Sequence, residues 1–206
     1  MTGPPPQLLR MFPLSSVLFP GAVLPLQVFE SRYLRMLSDV AQGDRRFGVV
    51  LIERGSEAGG GDERFRVGTV ARLARLNPME HGRVGILVVG AERFRVVDWL
   101  PDDPYPRAMA IVLEEAPVVE LALLDEAVRA LRRLYAFASE LGAVTGPVPE
   151  DTDPVQLMWA LCAVAPITQI DRQRLLEPDD AGQRVELLTE LLREEANVLE
   201  KRLAMG

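Results

Sequence analysis

Apolar residues in the first half of the chain recur mostly at every second position. Residues 24–28 (LPLQV) alternate in this way, as do residues 107–113, and residues 46–53 (RFGVVLIE) form a continuous apolar, β-branched run. Such patterns are typical of strands that are buried on one or both faces. Residues 30–40 differ because their apolar side chains follow a helical spacing. We expect several strands and one short helix, closed or half-closed into a small barrel.

The spacing changes after residue 116. Leu124, Val128, Leu131, Tyr135 and Ala138 are four, three, four and three residues apart, which predicts one apolar stripe on a helix. Three further helices are predicted before the end of the chain. Their capping residues are Thr152 or Asp153, Thr168, and Asp179 or Asp180. The sequence therefore predicts an α+β protein with two lobes, a β-barrel lobe at residues 1–116 and a helical-bundle lobe at residues 117–206.

The opening run, residues 12–37, is apolar enough to suggest a membrane span or a signal sequence. Pro13, Pro20 and Pro25 interrupt it, and a spanning helix needs about 20 apolar residues without such breaks. No basic segment precedes the run, as a signal sequence would require. We interpret it as strand, Pro-Gly turn, strand and helix, and as scaffold, with binding expected at the junction of the two lobes.

Composition narrows the class of partner. The net charge is −7 and almost all positive charge is arginine, since Lys201 is the only lysine. An acidic chain is repelled by nucleic-acid phosphates and by anionic membranes. Cys162 is the only cysteine, so no intrachain disulfide can form and a reducing cytoplasm is the expected compartment.

Few residues could carry catalysis. Lys201 is followed by Arg202, which does not fit a phosphate-binding loop, and it lies too near the chain end for a Ser-Lys dyad. His81, the only histidine, lies in a predicted turn, and one histidine with one cysteine is too few for structural zinc. We expect no enzymatic activity, no cofactor and no metal site.

The candidate binding residues are Met79, Trp99 and Tyr105. Aromatic and thioether side chains at the ends of strands are favoured at binding surfaces, and prolines stiffen the segment from Trp99 to Tyr105. The same three side chains would also serve as a cover over the barrel core. Both interpretations are kept.

Three other features have ordinary interpretations. The glycine-rich segment at residues 54–64 is predicted to be a mobile hairpin loop between strands rather than a phosphate cradle, with residues 56–63 the most mobile. Glu30 with Arg32, and Glu92 with Arg93 and Arg95, are predicted to be barrel-edge ion pairs or a solvated face rather than a polar site. The two lobes are expected to meet near residues 115–119.

Three passages carry a resemblance to a known family. The stretch FPLSSVLFPGAVLPLQVFESRYLRML resembles the opening signature of the Lon protease N-terminal, substrate-binding domain family. GRVGILVVGAERFRV with PYPRAMAIVLEE, and the C-terminal QRLLEPDDAGQRVELLTELLREE, are similar to its central strands and its helical end. The resemblance implies a PUA-like pseudo-barrel followed by a helical bundle, in a stand-alone relative without ATPase or peptidase parts.

Two functions of different classes follow from this resemblance. The first is a non-enzymatic adaptor or regulator related to proteolysis, which binds unfolded or apolar protein segments and works with a protease or chaperone in trans. The second is a PUA-like domain that binds a small molecule or RNA. The acidic charge argues against RNA, because RNA-binding domains usually present a basic face.

Overall fold

The computed structural model describes residues 4–54, 63–114, 120–151 and 153–205. The chain divides into two compact units, Met1–Glu114 and Glu115–Gly206. The loop predicted at residues 56–63, apart from its last residue, and the predicted meeting point at residues 115–119 lie outside the described residues.

The elements of the first unit, in chain order, are β1 (Gln7–Leu14), β2 (Val23–Val28), α1 (Ser31–Gln42), β3 (Arg46–Arg54), β4 (Glu63–Pro78), a 3-10 turn (Glu80–Gly82), β5 (Val84–Leu100) and β6 (Arg107–Val112). Those of the second unit are α2 (Leu121–Glu140), α3 (Pro154–Val164), α4 (Gln169–Leu176) and α5 (Ala181–Met205). The protein is α+β, as the sequence predicts.

The six strands form one mixed sheet in the order β2-β5-β4-β3-β1-β6. Strand β6 pairs with both β1 and β5, so β5, β4, β3, β1 and β6 form a closed ring of pairings with β2 added at its side. The β1–β3 pair is parallel and the other pairs are antiparallel. Closure leaves few strand edges that a second chain could pair with.

Strand β5 joins β2 to the closed ring of strands. Its first half pairs with β2 and its second half with β6, while β4 runs along its other side. Residues 84–100 form one continuous strand that passes through Gly90. A Cβ atom on Gly90 would lie 2.0 Å from the carbonyl oxygen of Phe19. Glycine is needed there because the backbone of the opening run passes so close.

The opening run folds as predicted, with a turn at Gly21 (φ 75°) between β1 and β2. Gly90 donates its N–H to the Ala22 carbonyl at 2.9 Å, which fixes how β2 faces β5. The backbone groups of Val23, Pro25 and Gln27 consequently point away from β5. Proline is tolerated at such an edge position because it has no N–H to leave unpaired.

Helix α1 closes one side of the core of the first unit. Its buried side chains are Tyr33, Met36, Leu37 and Val40. The Tyr33 ring packs on Phe12 of β1 with 4.4 Å between ring centroids. These residues join apolar side chains from β1 to β5 in a single cluster, so the helical spacing at residues 30–40 is explained by packing.

In the second unit, α2 and α5 pack side by side in the same direction. Glu126 pairs with Arg193, and Arg133 pairs with Glu200 at 3.0 Å. Both pairs join residues 67 positions apart, so the two helices keep one register over two turns. The predicted caps are present: Asp153 accepts from Val155 and Gln156, and Thr168 accepts from Asp171. Thr152, the alternative cap, is outside the described residues.

Arg184 is the most unusual core residue of the second unit, because its charged side chain is fully buried. Its guanidinium carbon lies 4.2 Å from the centroid of the Trp159 ring of α3. It donates a hydrogen bond to the carbonyl of Leu175, in the last turn of α4, at 2.9 Å. It donates another to the carbonyl of Pro178, just after that helix. One arginine of α5 thus holds both α3 and the end of α4.

Candidate functional site

Met79 lies at the surface between β4 and the 3-10 turn, and the residue is 43% exposed. Its sulfur lies over Gly85 of β5, 3.2 Å from the position that a Cβ atom would occupy there. The structure therefore places Met79 where a partner could reach it.

Trp99 lies near the other end of β5, half-buried against the cluster formed by strands β1, β3, β4, β5 and β6. The guanidinium carbon of Arg64 sits 4.9 Å from the Trp99 ring centroid, and Arg64 also pairs with Asp102 at 2.8 Å. A cation over the ring and a cluster beneath it leave limited room for a partner.

Tyr105 is a core residue with 6% exposure, a position that favours its interpretation as a cover over the barrel core over that as a binding residue. Its hydroxyl donates to Asp39 of α1 at 2.7 Å and accepts from Arg10 Nε at 3.3 Å. Burial and, secondarily, the hydrogen bond to the Asp39 carboxylate raise the pKa of Tyr105. Its ring fills the cluster under α1, so proline stiffening of this segment serves packing.

The three residues predicted as one site are not brought together. Met79 and Trp99 lie at opposite ends of the 17-residue strand β5: Met79 comes before its first residue, and Trp99 is its second-to-last residue. Tyr105 is interior. Of the three, only Met79 belongs to the exposed apolar surface described next.

The exposed sides of β2 and β5 carry apolar residues where alternation usually places polar ones. Pro25 faces Leu87, and Val23 faces Val89, across the β2–β5 pair. Val23 is 58% exposed, and Leu87 and Val89 are half-buried although their neighbours Ile86 and Val88 are core residues. With Met79 over Gly85, these residues form one surface, which we call the outer apolar face: Val23, Pro25, Met79, Leu87 and Val89.

Polar side chains border the outer apolar face on the β4 side. Asn77, Arg75 and Arg72 lie opposite Gly85, Leu87 and Val89 respectively, so they share its side of the sheet. Arg72 is held at 3.4 Å by Glu92, which also pairs with Arg46 at 2.8 Å. An apolar centre with a polar border is the usual composition of a protein-binding surface.

Ion pairs form at both Glu30 and Glu92. Glu30 pairs with Arg32 at 3.1 Å, as expected for neighbours. Glu92 pairs with Arg46 and Arg72 from other strands, and its neighbour Arg93 is buried. The sequence alone does not identify Arg46 and Arg72 as partners of Glu92, because their proximity depends on how the strands pair.

The residues considered for chemistry are scattered. His81 is exposed in the 3-10 turn with a positive φ of 59°, and Cys162 is fully buried in α3. In the described part of the chain, no group of three or more His, Cys, Asp or Glu side chains is placed to hold a metal ion. Among the same residues, no helix has the length and apolarity needed to cross a membrane.

The fold and the surface define a class first: an α+β protein with a closed ring of strands that presents an exposed apolar face. Residues 9–194 match the model of a family described as the ATP-dependent protease La (LON) substrate-binding domain. The chain therefore belongs to the Lon substrate-binding domain family.

Relatives agree with this assignment. The chain is 31% identical over 201 residues to Lon protease 2 of Myxococcus xanthus, covering 94% of this chain and 24% of that protein. It is 30% identical over 201 residues to Lon protease of Anaeromyxobacter dehalogenans, with the same coverage. The chain thus spans about a quarter of the length of the curated relatives it matches.

Solved structures agree as well. The Lon N-terminal domain protein from Xanthomonas campestris is 26% identical, with a TM-score of 0.69, covering 88% of this chain and 96% of that one. The N-terminal domain of Mycobacterium avium complex Lon protease, at 16% identity and a TM-score of 0.64, shares the fold over 90% of this chain and 98% of that one.

Proposed function

We propose that this protein binds extended apolar segments of unfolded proteins through the outer apolar face, as a non-enzymatic adaptor or regulator related to proteolysis. The observation that carries the proposal is the exposure of Val23 and Met79 beside Leu87 on one side of the sheet. The family description, a substrate-binding domain of an ATP-dependent protease, supplies the class of ligand.

Side-chain contact is the mode of binding that this face favours. Pro25 has no N–H to offer at the open edge of β2, so a client strand cannot pair along the whole edge. Contacts to aliphatic side chains depend on buried area and not on direction. We therefore expect weak, sequence-tolerant binding, as suits clients that share only exposed apolar side chains.

The wider assignment follows from the same family. We assign the closed ring of strands to the PUA-like pseudo-barrel type and the four helices after it to a helical bundle. The ring closure through β6 and the shared register of α2 and α5 support these assignments. A protease or chaperone acting in trans would process the bound client, and the cytoplasm is the proposed compartment.

The test replaces one exposed methionine with a charge. Met79→Asp should weaken binding of a fluorescently labelled, permanently unfolded model protein about tenfold, because desolvating a carboxylate costs more than apolar contact returns. Met205→Asp is the matched control, since Met205 is also exposed but lies at the end of α5. Fluorescence anisotropy measures the affinity and circular dichroism verifies folding. Equal loss of affinity in both variants, or no loss in either, would refute the outer apolar face as the binding surface.

A further inference from the structure

A second surface of different chemistry lies on the helical unit. Between α2 and α5 there is an open groove of about 210 Å³ lined by Glu126, Arg129, Ala130, Arg133 and Arg193. Its floor is the methyl group of Ala130, a short side chain between two long arginines on the same helix. Three guanidinium groups against one carboxylate make the lining cationic, in a chain whose net charge is −7.

Two of the three arginines already pair with carboxylates of the same chain. Arg193 binds the Glu126 carboxylate, and Arg133 binds the Glu200 carboxylate at 3.0 Å. Arg133 also stacks on Phe137, with 5.4 Å from its guanidinium carbon to the ring centroid. Arg133 and Arg193 are thus already engaged with carboxylates on either side of the groove.

Arg129 is the arginine left for such a ligand. It lines the groove between the two ion pairs and forms none itself within the described residues. A planar guanidinium with several N–H donors matches a carboxylate closely. A carboxylate at Arg129 would continue the alternation of charges along the seam between α2 and α5.

We propose that this groove binds a carboxylate side chain of an acidic polypeptide segment, with Arg129 as its principal contact. The groove is open to solvent along the helices, so it admits a side chain projecting from a passing chain and does not enclose a free small molecule. This site is independent of the outer apolar face and differs from it in ligand chemistry. A client or partner rich in Glu or Asp, without apolar side chains, is the ligand class it selects.

The experiment titrates the full chain with a short oligo-glutamate peptide at low salt by isothermal titration calorimetry. Arg129→Gln should weaken binding about fivefold, the range for one exposed charge-assisted contact. Arg132→Gln is the matched control, because Arg132 is an exposed arginine of the same helix that does not line the groove. Raising the salt concentration should weaken binding to the unmodified protein.

Equal affinity of the Arg129→Gln and Arg132→Gln variants would overturn the proposal, because the peptide would then respond only to net charge. Inorganic phosphate is the second probe. Arg129-dependent binding of phosphate without binding of the peptide would also overturn it, in favour of a small-anion site. Since oligo-glutamate has no apolar side chain, failure here leaves the Met79 test untouched.

Discussion

The two units connect their secondary-structure elements by different kinds of interaction. In the first unit, backbone ladders join segments that are far apart in the chain, such as Gln7 of β1 with Ala110 of β6. Helices satisfy their backbone groups internally and leave nothing comparable to connect one helix with another. The second unit therefore relies on side chains, and Arg184 connects α3, the end of α4 and α5.

This difference indicates which kind of substitution should destabilise each unit. A sheet ring is sensitive to changes that separate the backbones, even when the changed side chain is small. A set of helices is sensitive to loss of the few polar side chains that fix how the helices meet. Three pairs of substitutions examine that contrast.

The largest effect should come from Gly90→Ala in the first unit. The added methyl group would overlap the Phe19 carbonyl oxygen, which lies 2.0 Å from its position and belongs to the backbone. We expect a loss of about 3 kcal/mol or more in the free energy of unfolding, measured by urea denaturation.

The control for this prediction is Gly85→Ala on the same strand. There the nearest atom, at 3.2 Å, is the sulfur of Met79, which can move because methionine is flexible. The control variant should retain almost the full free energy of unfolding. Similar stability of both variants would mean that backbone approach does not limit the sheet ring.

A smaller effect is expected for Arg184→Lys in the second unit. Lysine keeps the charge but cannot reach both carbonyls or stack its planar group on Trp159. We expect a loss of about 2 kcal/mol in the free energy of unfolding. Urea denaturation followed by the helical circular dichroism signal measures it.

Arg202→Lys on the same helix is the matched control, because Arg202 is exposed. Its free energy of unfolding should stay within about 0.5 kcal/mol of the unmodified protein. If Arg184→Lys behaved like this control, the proposed connecting role of the buried arginine would fail.

The smallest effect concerns alkaline pH and compares two tyrosines. The pKa values of Tyr105 in the first unit and Tyr135 in the second are raised above 10.0, by burial in both cases and also by Asp39 for Tyr105. A raised pKa means that the folded state holds the proton more tightly. The associated stability is complete below pH of about 10 and is lost as pH rises through the folded-state pKa.

Tyr105→Phe and Tyr135→Phe should each flatten the decline in free energy of unfolding between pH about 9 and about 11. We expect the larger change for Tyr105, because the Asp39 carboxylate opposes its ionisation, whereas Tyr135 donates to the backbone carbonyl of Val164. Urea denaturation at a series of pH values measures both. An unchanged slope in Tyr105→Phe would contradict the raised pKa.

Local patterns in the sequence predict local structure well. The strand, turn, strand and helix of residues 8–40, the caps at Asp153 and Thr168, and the α+β class all follow from spacing and capping rules. The Lon resemblance read from three passages is confirmed by the family match over residues 9–194.

The candidate surface could not be predicted in the same way, because it depends on register between strands. Val23 and Leu87 are 64 positions apart and ordinary strand residues in isolation; their exposure on one face emerges only from the β2–β5 pairing. Tyr105 illustrates the converse case, a residue with two interpretations whose buried position only the tertiary contacts reveal. A tyrosine between prolines looks like a surface anchor until Asp39 and Arg10, from α1 and β1, are placed around its hydroxyl.

Pro25 at the open edge of β2 has a consequence for the behaviour of this protein in a crowded solution. An exposed strand edge next to apolar side chains is the geometry by which identical molecules join into growing β-aggregates. The proline removes one N–H from that edge. A strand of a second copy that paired along the whole edge would therefore leave one of its own carbonyl acceptors without a hydrogen bond. If the outer apolar face binds unfolded chains as proposed, Pro25 would at the same time oppose pairing between copies of this chain along β2.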